Sequence, residues 1–248
     1  VALSFEQPEL ATLIDGMGVL RILESIRQIN TDIKFYQAST SELYGKVQAT
    51  PQSETTPFWP RSPYGVAKLY AHWCTINYRE SYNIFGCSGI LFNHESPMRG
   101  EDFVTRKISK GLALWKKERR PIVLGNLEAK RDWGHAEDYV EGMIKIMNHD
   151  TPDSFVLATG ICHTIRQFLE MSLEYLGIKY YWVDDDCFEA DTNILISTTD
   201  KKHFRPAEVD ILQGDPTRAR EELGWTCKYD VHSLMRDMID ADMRRYCK

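Results

Sequence analysis

The stretch Tyr64-Gly65-Val66-Ala67-Lys68, which follows Ser39-Thr40-Ser41-Glu42 in the chain, decides the predicted fold. A tyrosine and a lysine four residues apart lie one turn apart on the same face of a helix. Pro63 suits the first position of that helix, and Ser62 suits its N-cap. We therefore predict a helix over 63–82 that carries both side chains in its first two turns.

This pairing also predicts a chemistry. The ammonium group of Lys68 should lie near the phenol of Tyr64, where a positive charge lowers a pKa that starts at about 10. Such a phenol is a base suited to the oxidation of an alcohol by hydride transfer. If the pair stood alone, we would interpret it as a half-buried aromatic residue beside a solvated lysine. The surrounding segments therefore decide between this interpretation and a catalytic one.

Those segments favour catalysis. Residues 34–38 read as a strand that runs into the polar cluster at 39–42, and ligands of doubly wound sheets lie beyond the carboxyl ends of strands. Thr40 and Glu42 alternate on a segment that we expect to be extended, so both side chains should point to the same side. The alternative is a helix cap, because Ser or Thr followed by Glu is common at helix starts.

The remaining periodicity predicts alternating helices and strands, as in a parallel sheet covered by helices. Helices are predicted over 8–29, 102–117, 136–147, 164–176, 216–223 and 231–246, and strands over 87–92, 121–124, 155–158 and 180–183. The polar segment 93–101 is predicted to be a loop.

Strand, hydroxyl cluster, loop and Tyr-Lys helix follow in the order of an extended short-chain dehydrogenase/reductase. Longer motifs narrow the resemblance from this superfamily to one family within it. They are Ala38-Ser39-Thr40-Ser41-Glu42-Leu43-Tyr44-Gly45, Pro60-Arg61-Ser62-Pro63-Tyr64-Gly65-Val66-Ala67-Lys68, Leu91-Phe92-Asn93-His94-Glu95-Ser96-Pro97, Lys130-Arg131-Asp132-Trp133-Gly134-His135 and Arg205-Pro206-Ala207-Glu208-Val209-Asp210. From about residue 5 to the end, the chain resembles the GDP-mannose 4,6-dehydratase family.

The resemblance implies an α/β fold: a Rossmann-like doubly wound parallel sheet with a smaller α/β substrate domain. The cofactor domain would comprise 1–98 and about 136–160, and the substrate domain about 99–135 and 161–248. The glycine-rich phosphate turn of such folds is not found here. Gly16-Met17-Gly18 lies in a predicted helix and reads as helix packing, so we expect the first strands and the glycine turn to lie upstream of Val1.

The resemblance also implies an NADP-dependent lyase that converts GDP-mannose to GDP-4-keto-6-deoxymannose, toward GDP-fucose. Tyr64 would take the O4 proton and Lys68 would hold the nicotinamide ribose. Thr40 would fix O4, and Glu42 would remove the C5 proton and assist loss of the C6 hydroxyl.

Further residues are assigned to binding by the same resemblance. His94 and Arg99 would contact the cofactor, although Arg99 is equally explained as a solvated surface charge. The residues implied for GDP-mannose are Asn93, Lys107, Gly125, Arg131, Arg205 and Glu208. Lys107 has a strong alternative, because its helix is rich in charge and its side chain is equally explained as solvated.

The composition limits the kinds of partner and the cellular location that the chain is expected to have. A net charge of −6 argues against a nucleic-acid surface, and no apolar run approaches a membrane span. Six cysteines without a CxxC pair indicate free thiols and a cytoplasmic location. No Cys/His cluster accompanies His94, so no metal is expected. A homo-oligomer, dimer or tetramer, is expected from the family.

Two alternatives remain open. Another nucleotide-sugar dehydratase or an epimerase would share the fold, although Ser41 beside Glu42 favours the GDP-mannose branch because many other dehydratases have Asp there. The other alternative is a truncated, non-catalytic nucleotide-sugar binding module or oligomer partner. On that view the chain by itself should bind NADP⁺ poorly and turn over little.

Overall fold

The computed structural model describes residues 1–200, 202, 209 and 211–247. Its helices are α1 (Ala2–Glu6), α2 (Pro8–Ala11), α3 (Gly18–Ile29), α4 (Pro63–Tyr82), α5 (Val104–Glu118), α6 (Ala136–Met147), α7 (Ile165–Tyr175), α8 (Thr217–Leu223) and α9 (Val231–Tyr246). Its strands are β1 (Phe35–Thr40), β2 (Gly86–Leu91), β3 (Asn93–Glu95), β4 (Ile122–Leu124), β5 (Lys130–His135), β6 (Ser154–Leu157), β7 (Cys162–Thr164), β8 (Tyr180–Val183), β9 (Asp186–Glu189), β10 (Leu195–Thr199) and β11 (Ile211–Leu212).

The Rossmann-like core is a parallel sheet in the order β1-β2-β6, which confirms the predicted fold class. Thr40 at the end of β1 pairs with Leu91, and Leu91 pairs with Leu157. The three strands therefore end at one edge of the sheet, where doubly wound folds bind their ligands. Every residue of β2 is buried, as expected for a central strand covered on both faces.

The predicted helix over 8–29 is confirmed as a helical run, with one irregularity. Between α2 and α3 the turn Thr12–Met17 is a π helix. Gly16 lies in that turn and is buried against α4, and Gly18 is the first residue of α3. Both glycines therefore lie in the helical run and do not form a phosphate-binding loop, and Gly16 serves helix packing.

The second half contains two further sheets, in the orders β4-β10-β9-β8 and β11-β5-β3, with β7 paired to β5. The prediction of a loop over 93–101 is wrong at its start, because β3 pairs in parallel with β5. The strands β5, β7, β9, β10 and β11 were also not predicted. The first four of these strands are short and mostly polar, and β11 has only two residues, so none of them shows the apolar alternation that marks a strand in sequence.

The largest buried apolar cluster lies in the second half. It is built around Trp115, Trp133 and Phe168, and it joins α5, α7 and α9 to the sheet of β4 and β10. A separate cluster around Phe155 and Tyr139 packs α6 against the parallel core. The division into a cofactor domain and a substrate domain, with the bounds given above, stays a prediction.

Two searches concern the described residues alone. None of their helices combines the length and the apolar character that a membrane span requires. Likewise, within the described part of the chain, no three His, Cys, Asp or Glu side chains cluster closely enough to hold a metal ion.

Candidate functional site

The polar cluster after β1 forms a tight turn. Thr40 ends the strand, and Ser41–Leu43 forms a 3-10 turn in which the Thr40 hydroxyl accepts a hydrogen bond from the Glu42 backbone N–H at 3.2 Å. The expected extended segment over 40–42 is therefore wrong, because capping the turn satisfies a backbone donor that an extended chain would leave unpaired. The cap that we weighed as an alternative is present.

The Tyr-Lys helix begins where the sequence predicted. Ser62 is extended and its hydroxyl accepts a hydrogen bond from the Gly65 backbone N–H at 3.0 Å, while Pro63 occupies the first turn. Gly65 allows α4 to approach the turn closely, since an added methyl group would lie 3.0 Å from the Glu42 carbonyl oxygen. Cap and glycine together fix the start of α4 against the end of β1.

The Tyr64 and Lys68 side chains are neighbours, as predicted. The Lys68 Nζ lies 5.9 Å from the centre of the Tyr64 ring. Thr40 and Glu42 also act on the Tyr64 phenol, since Thr40 lowers its pKa and Glu42 raises it. The structure therefore brings together the four residues that the sequence assigned to catalysis.

The predicted pKa of Tyr64 is wrong for this structure. Burial is the largest cause and raises the pKa to about 12, although Thr40 lowers it. The charges of Asp15 and Glu42 have weaker raising effects, and Arg99 has a still weaker lowering effect. Burial also lowers the pKa of Lys68. Desolvation therefore outweighs the neighbouring charge, and Tyr64 is a protonated phenol near neutral pH.

The segment after β2 supplies the two residues predicted to contact the cofactor. A ring nitrogen of His94, Nδ1, lies 2.9 Å from the Phe92 carbonyl oxygen, and the His94 ring stacks on Tyr139 at 5.0 Å. Burial lowers the pKa of His94, which therefore stays neutral above pH 6.5. A fixed neutral imidazole at the end of the core sheet can hydrogen-bond a ligand without competing for a proton.

Arg99 is not the solvated charge that we weighed as an alternative. Its Nε forms an ion pair with the buried Glu95 carboxylate at 3.0 Å, and its guanidinium lies 3.5 Å from the centre of the Phe103 ring. Its charge reaches Tyr64, where it lowers the pKa. The guanidinium is thus held in place beside the catalytic residues, ready for an anionic group.

The residues assigned to GDP-mannose lie on several elements. Asn93 on β3 pairs with Trp133 on β5. Arg131 lies on β5 two residues before Trp133. Lys107 lies on α5, and Gly125 directly follows β4, against which α5 packs. Arg131 is buried within a strand and not beside a turn, and one of its nitrogens donates to the Lys130 carbonyl oxygen at 2.8 Å. Arg205 and Glu208 lie outside the described residues.

Two acidic residues near the site were not predicted. Asp15 acts electrostatically on both Tyr64 and Lys68. Glu95 is buried and holds Arg99. Glu95 stands inside a quoted motif, so its position beside His94 was a usable signal. Asp15 stands in an amphipathic helical pattern that gives no signal, and its place depends on how α4 packs against the π turn.

Comparisons with known proteins were made with this geometry in hand. A family model described as GDP-mannose 4,6 dehydratase matches residues 1–238. The chain is 49% identical over 250 residues to the GDP-mannose 4,6 dehydratase of Homo sapiens, covering 98% of this chain and 67% of that protein. It is 48% identical over 261 residues to GDP-mannose 4,6-dehydratase of Vibrio cholerae, covering 98% of this chain and 70% of that protein. The chain thus spans about two thirds of the length of these relatives.

Solved structures share the fold at low sequence identity. The structure of RMD from Pseudomonas aeruginosa complexed with NADPH superposes with a TM-score of 0.84 at 19% identity, covering 99% of this chain and 78% of that chain. The NAD-dependent NDP-hexosamine 5,6-dehydratase TunA, involved in tunicamycin biosynthesis, gives a TM-score of 0.81 at 17% identity, covering 97% and 73%. At these identities the likeness establishes the fold alone.

Proposed function

The chain belongs to the GDP-mannose 4,6-dehydratase family, and we propose that it converts GDP-mannose to GDP-4-keto-6-deoxymannose and water. One observation carries the proposal: Thr40, Glu42, Tyr64 and Lys68 meet at the carboxyl edge of a parallel Rossmann-like sheet. This is the edge at which such sheets bind nucleotides and their substrates. The product would be a precursor for GDP-fucose.

The residues around Tyr64 fit the nicotinamide end of a cofactor. Lys68 offers an ammonium for ribose hydroxyls, and the held guanidinium of Arg99 offers further donors. The neutral ring of His94, whose Nδ1 donates to the Phe92 carbonyl, offers an acceptor at Nε2. A nicotinamide cofactor bound there in its oxidised form would supply a hydride acceptor for C4 and a positive charge beside the phenol, and once reduced it would supply the hydride for C6. We propose NADP as that cofactor, and tighter binding of NAD⁺ than of NADP⁺ in calorimetry would contradict this choice.

The chain's own groups handle the protons. Tyr64 takes the O4 proton as C4 is oxidised, while the Thr40 hydroxyl, whose oxygen already accepts from the Glu42 N–H, donates to O4 and fixes it. The new ketone acidifies the C5 proton, which the Glu42 carboxylate removes. The C6–O bond then breaks, and the proton held by Glu42 leaves with the hydroxyl as water. Tyr64 then gives C5 the proton that it took from O4 as C6 is reduced, so no net oxidation occurs.

The decisive experiment measures the dehydrated product and the exchange of the C5 proton in the same reaction. With GDP-mannose and saturating NADP⁺ in deuterated water, mass spectrometry should show a nucleotide sugar lighter by one water and carrying deuterium at C5. Tyr64→Phe should lower kcat by about 10²-fold or more, because the O4 proton loses its acceptor. Glu42→Gln should lower it similarly and also abolish deuterium uptake at C5.

Matched controls are available on α4 itself. Tyr82→Phe and Glu80→Gln change exposed side chains at the far end of the helix and should leave turnover within about twofold. Dehydration of dTDP-glucose but not GDP-mannose would indicate another nucleotide-sugar dehydratase. Binding of GDP-mannose without any turnover would instead favour a non-catalytic binding module and contradict the proposal.

We further propose that Asn93, Lys107, Gly125, Arg131, Arg205 and Glu208 bind the nucleotide part of the substrate. Cationic forks suit a diphosphate, and a glycine permits close approach of the backbone. Lys107→Met should raise KM about tenfold or more with little change in kcat, since it removes a contact present before and during reaction. Lys116→Met, on the exposed end of α5, is the control, and an unchanged KM for Lys107→Met would remove Lys107 from this set.

Two coarser properties complete the proposal. The protein would act as a homo-oligomer, because α4 exposes an apolar stripe that a second copy could cover. It would act in the cytoplasm, because all six cysteines are free thiols. Recovery of the protein from the secretory compartment on cell fractionation would contradict the second point.

A further inference from the structure

Asp132 on β5 is a fully buried carboxylate, and both of its oxygens accept hydrogen bonds from other parts of the chain. Oδ1 accepts from the Thr159 backbone N–H at 2.8 Å and from the Thr159 hydroxyl at 2.6 Å. Oδ2 accepts from the backbone N–H of Gly160 at 2.9 Å and from that of Gly214 at 3.2 Å. A carboxylate removed from water is costly unless such donors satisfy it. Asp132 therefore joins β5 to the turn after β6 and to the segment after β11.

The segment after β11 is also bonded to Gln52, which lies in the loop that leads from the 3-10 turn to α4. The Gln52 backbone donates to the Gln213 carbonyl oxygen at 2.8 Å and accepts from the Asp215 N–H at 2.7 Å. The buried Gln52 side chain adds a bond, since its Oε1 accepts from the Gln213 backbone N–H at 2.9 Å. The loop between the two catalytic elements is thus bonded to the segment that Asp132 holds.

These contacts connect the two ends of the proposed substrate site. Arg131, which we proposed for the nucleotide part of the substrate, directly precedes Asp132 on β5 and pairs with Leu212 on β11. The loop of Gln52 begins at the turn that carries Glu42 and ends at the start of α4. A continuous path of hydrogen bonds therefore runs from the strand of Arg131 to the catalytic turn and helix.

We propose that Asp132 is a positioning residue, which acts through Gly214 and Gln52 to hold strand β5 in register with the catalytic turn and α4. This inference rests on the proposed function, because it concerns the distance between the diphosphate and hexose ends of one substrate. A misplacement of about 1 Å can lower the rate of a reaction about 10²-fold. A carboxylate that served stability alone would change the folded fraction and leave the turnover of each folded molecule as it was.

Two variants break the path at its two ends. Asp132→Asn replaces one carboxylate oxygen by an NH2 group, which cannot accept, so that in either orientation two of the four donors face another donor. Gln52→Met leaves the Gln213 N–H without its side-chain acceptor, and it serves as the test if Asp132→Asn does not fold. Asp215→Asn is the matched control, because the Asp215 side chain accepts through Oδ1 alone, from Thr217, and an asparagine keeps that oxygen.

Hydrogen–deuterium exchange of the whole chain tests the connection without substrate or cofactor. In Asp132→Asn, exchange should become about tenfold faster or more in the peptide that contains Gly214 and in the loop peptide that contains Gln52. In Gln52→Met the Gly214 peptide should also exchange faster, while Asp215→Asn should behave as the unchanged chain. Faster exchange at Gly160 and Gly214 with the Gln52 peptide unaffected would overturn the inference, because the carboxylate would then act only on its immediate neighbours.

Kinetics with GDP-mannose and calorimetry with GDP separate positioning from stability. In Asp132→Asn and Gln52→Met, kcat per folded molecule should fall about tenfold or more, whereas the Kd of GDP should stay within about threefold, since GDP occupies only the diphosphate end. An unchanged kcat, or a Kd that rises in proportion to the loss of kcat, would overturn the inference. An unchanged chain that binds GDP-mannose without turnover would contradict the proposed function, and the exchange result would then decide the inference by itself.

Discussion

Tyr64 shows how burial and charge compete at one side chain. A lysine four residues away is a sound reason to expect a low pKa, yet the phenol is sufficiently removed from water that its pKa rises to about 12. Burial also lowers the pKa of Lys68. The apo site therefore stores its proton on the phenol, and a positive charge that arrives with the cofactor would favour the phenolate.

His72 gives a pH prediction that does not depend on catalysis. This buried histidine on α4 has Nδ1 2.8 Å from the Ser39 hydroxyl, and burial together with Arg79 lowers its pKa from 6.5 to about 4. The unfolded chain therefore takes up a proton before the folded chain does. The contribution of neutral His72 is present above pH 6.5 and is lost as the pH falls toward 4, by roughly 3 kcal/mol in total.

Urea unfolding of the chain and of His72→Asn at pH 7 and at pH 4.5 measures this effect. The difference in free energy of unfolding between the two proteins should shrink toward the lower pH, because the variant lacks the titrating group. His149→Asn, in the turn after α6, serves as the control and should keep the pH dependence of the unchanged chain. Equal slopes for all three proteins would show that His72 does not titrate as described.

Helices α5 and α9 are joined by a buried ion pair. The Arg106 and Asp242 side chains are 2% and 1% exposed, with Nη2 and Oδ1 2.8 Å apart. Ser109 donates to the other Asp242 oxygen at 2.6 Å, and Arg106 also donates to the Arg99 carbonyl oxygen at 3.2 Å. The pair thus ties the segment that carries Arg99 to the last helix of the chain.

Removal of one partner should destabilise the chain strongly. Asp242→Asn leaves a buried guanidinium without its counter-charge, and we expect the free energy of unfolding to fall by about 3–5 kcal/mol in urea titration. The double variant Arg106→Met/Asp242→Leu should recover most of that loss, because no buried charge remains. Glu101→Gln, which breaks the exposed pair with Lys110 on the same helix, should change stability little. A double variant as unstable as the single one would argue that packing and not charge dominates.

The molecule as a whole presents an apolar stripe on α4. Val66, Tyr70 and Trp73 follow the helical spacing and are 57%, 43% and 54% exposed. The same helix carries Tyr64 and Lys68 on another face, so one element serves both the site and this surface. A second copy of the chain packed on the stripe would remove apolar area from water and would hold α4 more rigidly.

Light scattering after size-exclusion chromatography tests this surface. Trp73→Glu should lower the molar mass of the particle toward that of a single chain, since it places a charge within the stripe. Val140→Glu, which changes an exposed apolar residue on α6, is the control and should leave the mass unchanged. A monomeric starting protein would contradict the proposed homo-oligomer outright.

The sequence by itself determined the elements whose signals are local. Ser62 and Pro63 marked the start of α4, the four-residue spacing placed Tyr64 beside Lys68, and the long ordered motifs identified the family. These features depend on residues within a turn or two of each other, so chain connectivity and helix geometry suffice to predict them.

The tertiary structure alone decided what depends on packing between distant segments. Gly16 lets the π turn lie against α4, and the short strands β5, β7 and β11 exist because neighbouring strands supply their hydrogen bonds. The pKa of Tyr64 also depends on packing between distant segments, because desolvation is caused by everything that surrounds the side chain. No local pattern encodes how much water a folded chain leaves next to a given atom.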